Sequence, residues 1–243
     1  MFHFFRQLRR KLLSNSQLSR YLFYALGEIV LVVLGILIAL QIDNWNDQRK
    51  LQARQATLLT DLRSDLQETL DGLQFGKSLN AHTVVQYRFL MDAIDQNAPY
   101  SEQIDSAMAW LPMFHVPRFT RTAYESLKSQ GVDILTNRTL KNQIANLYEN
   151  EFPYLKEDQT QLEWSLHNTD KPVYINRYLR YRDNGDIMVF PVDFEKIKAD
   201  TGFINFLATL IAIRAAGIEF YERTMAKTEE VIAGIDRELD NLE

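Results

Sequence analysis

Residues Tyr21 to Ile42 read YLFYALGEIVLVVLGILIALQI, an apolar run interrupted by a single carboxylate. As a helix rising about 1.5 Å per residue, Tyr21 to Leu40 covers about 30 Å, the thickness of a bilayer's hydrocarbon core. A cleaved signal peptide needs a shorter apolar region followed by small residues at a cut site, and this run exits into Gln41-Ile-Asp-Asn-Trp-Asn. A buried core helix would leave the cations clustered just before the run without a reason. The stretch therefore reads as a transmembrane helix, with the lipid bilayer as the first partner.

Charge orients it. Arg6, Arg9, Arg10, Lys11 and Arg20 place five of the chain's 27 basic side chains, and no acid, in the first 20 residues. The other 22 face all 32 Asp and Glu, so the rest of the chain carries about ten excess negative charges, which argues against nucleic acid as a partner. Positive-inside logic puts Met1 in the cytoplasm and everything after Ile42 outside. Three regions follow: a basic amphipathic segment at 1–20, suited to lying on the anionic leaflet, the span at 21–42, and an extracytoplasmic domain at 43–243. Tyr21 and Tyr24 at one end and Trp45 at the other suit the headgroup level. Cysteine is absent, so no disulfide framework or thiolate metal site arises.

Glu28 lies about 10 Å into the apolar slab, where an ionised carboxylate costs at least about 2.5 kcal/mol. Gly35 shares its helix face, and Gly35 with Ala39 forms a small-xxx-small pair that admits a second backbone. A helix contact on that face hides Glu28 and uses the glycine. The carboxylate then fixes assembly through an interhelical hydrogen bond, or relays protons in a membrane complex.

The pattern FFRQLRRKLL followed by YLFYALGEIVLVVLGILIALQIDNWNDQRK, with its Gly27-Glu28 pair and closing Asn44-Trp45-Asn46, resembles the N-terminal signature of an uncharacterised family of single-span bacterial envelope proteins. The later block TAYESLKSQGVDILTNRTLKNQIANLYE is similar to that family's second recurrent stretch. The resemblance implies a mostly helical Gram-negative inner-membrane protein, whose domain after Ile42 is then periplasmic by the charge argument above. It implies no reaction.

Beyond the span, Leu51, Leu58, Leu59, Leu62, Leu66, Leu70 and Leu73 recur at spacings of three, four and seven, a helical stripe that continues to Ile94 before Pro99 stops it. Gly72 or Gly76 is a possible kink. Ser101 is placed to cap a short helix, Thr122 and Glu125 form a capping box, Gly131 ends the next helix as a left-handed cap, and Asn137 and Asp193 cap two more. A helix is expected from Phe152 to Asn168. Tyr174, Tyr178 and Tyr181 with interleaved arginines form either an aromatic and cationic helix face or, through Asn184-Gly185, one arm of a hairpin. Phe203 to Tyr221 is apolar, yet Arg214 and Glu219 argue for a buried bundle helix rather than a second span. It continues at heptad-like spacing to Leu239, and so matches the first long helix in length. The expected fold is all-α: an N-terminal transmembrane helix followed by an elongated extracytoplasmic bundle with two long antiparallel helices.

No nucleophile elbow, phosphate loop or dinucleotide fingerprint is present, and His3, His82, His115 and His167 lack the spacing of metal ligands. The expectation is a protein with no catalytic residues, metal or cofactor, which assembles with itself or with another membrane protein through Gly27, Glu28, Gly35 and Ala39. His115, Arg118, Arg121 and Tyr124, around a proline-bounded loop, are the candidate anion-binding residues. Two other functions fit the sequence: a periplasmic ligand-sensing module, and a subunit of a proton-driven complex that uses Glu28.

Overall fold

A computed structural model describes residues 16–113, 115–183 and 187–242. They divide into two compact units, 1–54 and 55–243, and one helix, α1 (Ser16–Asp95), contributes to both. The basic segment at 1–15 lies outside the described residues.

In the first unit, α1 carries the apolar run, and every side chain described from Tyr21 to Arg54 is exposed. In the second unit the same helix turns amphipathic. Leu58, Leu59, Leu62, Leu66 and Leu73 are buried on one face, with Val84, Tyr87 and Leu90 further along, as the three-four spacing predicts. Leu51 and Leu70 are not buried. Gly72 and Gly76 lie within the continuous helix.

That face is covered along its length by α8 (Thr201–Asp240), which runs antiparallel to it. The contacts Arg63 to Asp236, Lys77 to Glu222 and Asn80 to Arg214 descend in one helix as they ascend in the other. Phe203, Phe206, Leu207 and Leu210 of α8 meet Tyr87, Leu90 and Ile94 in one core cluster, while Val231 and Ile235 meet Leu58, Leu59 and Leu62 in another. The expected pair of long antiparallel helices is thus present in this unit.

Short elements fill the remaining sides. They are α2 (Glu102–Met108), α3 (Thr122–Gln130), a 3₁₀ turn at Val132–Ile134, α4 (Arg138–Asn146), a π turn at Leu147–Glu151, α5 (Phe152–Asn168), α6 (Asp170–Tyr178) and α7 (Phe194–Ala199). The π turn has a local cause. Pro153 has no N–H to return to the carbonyl four residues back, and the preceding N–H, of Phe152, reaches five residues back to Leu147.

Four expectations need correction. The chain is mostly helical rather than all-α, because β1 (Leu179–Asp183) and β2 (Ile187–Pro191) pair antiparallel with Leu179 opposite Pro191 and Asp183 opposite Ile187. Asn184 and Gly185 lie outside the described residues between them. Of the two readings of the tyrosines the antiparallel hairpin is the one present and the surface helix face is not: Tyr174 and Tyr178 pack on Phe203 and Phe206, and Tyr181 falls in β1. Thr122 and Glu125 make no capping box. Arg121 holds the cap position, and the N–H of Ala123 instead donates to Oδ2 of Asp65 on α1, at 2.7 Å. A carboxylate from another helix does the capping because α3 docks its N-terminus onto α1, where Asp65, Glu68 and Thr69 meet it. Finally, Gly131 has the positive φ expected, 97°, but with ψ 122° the chain leaves α3 extended rather than in a left-handed helical turn. Asn137 and Asp193 do cap α4 and α7 through Leu140 and Lys196.

Candidate functional site

Glu28, Gly35 and Ala39 fall on one face of α1 at helical spacing, together with Tyr21, Tyr24 and Ile42. Gly27 lies about a quarter turn away, since neighbouring residues are about 100° apart. A Cβ added at Gly27 or Gly35 would meet nothing within 4 Å. The face is open, polar at one point and flat at another, while the opposite side carries Val30, Val33, Leu34 and Leu37. One turn past the apolar run the guanidinium of Arg49 lies 5.5 Å from the centre of the Trp45 ring, and Lys50 pairs with Asp47 at 3.2 Å.

Two helices are long and apolar enough to cross a membrane. The most apolar stretch of α1 has mean hydropathy 2.5 with 0% of it buried, against 1.6 with 33% buried for α8. The difference is physical, since α8 turns Phe203, Phe206, Leu207 and Leu210 into the core.

The four residues suggested as an anion site do not converge. His115 meets the ring of Phe75 edge-on at 5.4 Å, and its pKa is lowered by burial first and then by the charges of Arg214 and Arg118. Arg118 is exposed, its carbonyl facing Gly72. Arg121 and Tyr124 belong to a separate cluster about two turns earlier on α1, near Asp65. There Tyr124 stacks on Tyr148 with ring centres 4.3 Å apart, and the Arg121 guanidinium lies 5.9 Å from each ring centre. Arg121 also faces Glu125 and Glu149, at 3.4 and 3.7 Å, so its charge is already answered. Burial, with a hydrogen bond to Glu149, pushes the Tyr124 hydroxyl up to about 12, and burial raises Tyr148 as well. His115 thus packs against α1, while Arg121 and Tyr124 pack and pair within α3 and the π turn.

Sequence reasoning singled out Arg214 but missed its partners and the equally buried Lys171. Arg214 is 2% exposed, donating to Oδ1 of Asn80 at 2.7 Å and to the carbonyl of Met113 at 3.0 Å. Lys171, fully buried, donates to the same carbonyl at 3.2 Å. Two cations from α6 and α8 thus fix the loop that carries Met113. The signal available was Arg214 itself, a cation inside an apolar helix, which must find buried acceptors. At the π turn Glu151 is held by Lys227 and by Arg223, and the neighbouring 490 Å³ cleft is lined by Glu149, Glu157, Tyr154 and Arg223. Burial alone would raise the Glu151 carboxyl, but the hydrogen bond and charge of Lys227, aided by Arg223 and Asn146, bring it below its ordinary value. Among the described residues no group of three or more His, Asp or Glu side chains could hold a metal ion.

These features define a mostly helical protein with one fully exposed apolar helical stretch of membrane-crossing length and a helical bundle in which buried Arg214 and Lys171 meet on one loop carbonyl. The chain belongs to a family of unknown function, DUF6090, whose model matches residues 28–156. The match begins at Glu28 and ends within α5. No curated protein and no solved structure is detectably similar.

Proposed function

We propose that this is a single-pass bacterial inner-membrane protein, with its N-terminus in the cytoplasm and its helical domain in the periplasm, that works as an assembly or scaffolding component rather than an enzyme. One observation carries this reading: the α1 stretch with mean hydropathy 2.5 buries none of its side chains, so the large apolar residues from Tyr21 to Ile42 need a cover that the described residues do not supply. The basic cluster before the run and the mixed charges after it support the orientation. The face through Glu28, Gly35 and Ala39 supports helix-helix assembly with a second copy or another membrane protein, because hydrocarbon leaves a carboxylate no partner except one on a neighbouring helix.

Orientation is tested by single cysteines introduced into this cysteine-free chain. An impermeant maleimide should label Ser129→Cys in intact spheroplasts and Ser14→Cys only after permeabilisation; the reverse pattern sinks the topology. Assembly is tested by native mass measurement of the detergent-solubilised protein. Wild type should be larger than one chain, and Gly35→Leu and Glu28→Ala should shift it towards the monomer; a strictly monomeric wild type with no co-purifying membrane protein overturns the reading.

A further inference from the structure

We propose that Gln41, Trp45 and Arg49 form a binding site for the phosphate-bearing headgroup of an anionic phospholipid in the leaflet away from the basic N-terminus; this rests on the membrane-span reading above. The helix just past the apolar run has two unlike faces. Asp43, Asp47, Lys50 and Arg54, spaced i, i+4, i+7 and i+11, share one face, where two acids are followed by two bases and Lys50 pairs with Asp47 at 3.2 Å. Gln41, Trp45, Arg49 and Gln52 share the other, which contains a single charge and no carboxylate. Among the described residues Arg49 makes no ion pair with any acid, although acidic side chains lie two and six residues before it in sequence.

Depth is what turns this lone cation into a site. Trp45 lies about 7.5 Å beyond Leu40 by helical rise, against a headgroup layer about 5 to 8 Å thick on each side of the core. Arg49 starts a turn further out, but its guanidinium lies over the Trp45 ring, 5.5 Å from the centre. The side chain therefore leans back along the helix, as helical side chains do, and sets its charge at the depth of the indole. At that level the guanidinium offers paired N–H donors matched to a phosphate, the indole offers one more, and the amide of Gln41 lies one turn deeper, towards the ester region. Charge complementarity selects an anionic headgroup: a zwitterionic one brings an ammonium that this face has no carboxylate to receive. Trp45 is 59% exposed and Arg49 is exposed, so a lipid reaches both without rearrangement.

The test uses the full chain in nanodiscs of equal phosphatidylcholine and phosphatidylglycerol, with retained lipids counted by native mass spectrometry. Wild type should retain phosphatidylglycerol in preference to phosphatidylcholine. Arg49→Gln should cut that retention about tenfold, the loss of one charge-assisted contact, and Arg49→Lys should recover part of it. Lys50→Gln, on the opposite face, should stay within about twofold of wild type. The N-terminal cations are unchanged in every variant, so a preference that survives Arg49→Gln is held there and overturns the proposal. Equal losses in Arg49→Gln and Lys50→Gln, or no preference in wild type, overturn it too. If alkaline carbonate strips the wild-type chain from membranes, the span reading fails first; if the chain resists extraction and Arg49→Gln keeps its lipids, only the headgroup site fails.

Discussion

Gly76 of α1 lies directly under the ring of Tyr221 of α8: a Cβ at residue 76 would be 2.7 Å from the Cε1, Cζ and Oη atoms of that ring. Tyr221 is 1% exposed and packs with Leu73 and Leu155, so the ring has nowhere to swing. The glycine is a seat for the second long helix rather than a hinge in the first.

Gly76→Ala pits two effects against each other. Helix propensity favours alanine by about 1 kcal/mol, while overpacking against a fixed ring costs about 1 to 3 kcal/mol. The clash should win, lowering the urea midpoint of the detergent-solubilised protein. Gly76→Ala with Tyr221→Leu should lie above the sum of the two single changes, since the shorter side chain removes the clash. Gly72→Ala, where the nearest atom is the Arg118 carbonyl at 3.9 Å, should be neutral or mildly stabilising.

Asp65→Ala removes the acceptor of the Ala123 N–H and should destabilise by about 1 to 2 kcal/mol. Glu125→Ala, losing only exposed ion pairs with Arg121 and Lys128, should change stability by less than about 0.5 kcal/mol. Chemical denaturation of the two variants side by side separates capping from a distance from the local capping box.

Asp200 accepts hydrogen bonds from the Tyr178 hydroxyl and from the N–H groups of Gly202 and Phe203, the latter two at 2.8 and 3.2 Å, and faces Arg177 at 3.4 Å. The Tyr178 hydrogen bond foremost, and the two N–H groups and the Arg177 charge after it, hold its carboxyl below the ordinary carboxylate range against the opposing effect of burial. A depressed folded pKa gives stability that is present above the unfolded value, about pH 4, and is lost as pH falls through the folded one. The unfolding midpoint of wild type should therefore drop more steeply below pH 4 than that of Asp200→Asn. Parallel slopes would remove Asp200 as a source of acid sensitivity.

Arg214→Ala should destabilise by about 3 to 5 kcal/mol, since it empties a large buried volume and removes a donor to Asn80, while the Met113 carbonyl keeps Lys171. Arg214→Lys should recover only part of this, because one ammonium does not span both acceptors as the planar guanidinium does. Protease cleavage at the loop around Met113 gives an independent readout: it should quicken in both variants, and unchanged cleavage would separate the loop from the buried cation.

By itself the sequence determined what depends on local composition and spacing. The apolar length of Tyr21 to Ile42, the three-four stripe of α1, and the caps at Asn137 and Asp193 each follow from residues within a few turns of one another. Only the tertiary structure decided which groups meet across helices. Asp65 displaced Glu125 in the matter of α3, Tyr221 gave Gly76 its reason, Lys171 and Arg214 came together on one carbonyl, and His115 parted from Arg121 and Tyr124. Such pairings are set by how two helices dock, and residues far apart in the chain carry no periodic signal of one another. The lean of Arg49 back over Trp45 lies between the two cases: the i, i+4 spacing was legible in the sequence, but the depth of the charge depended on a rotamer.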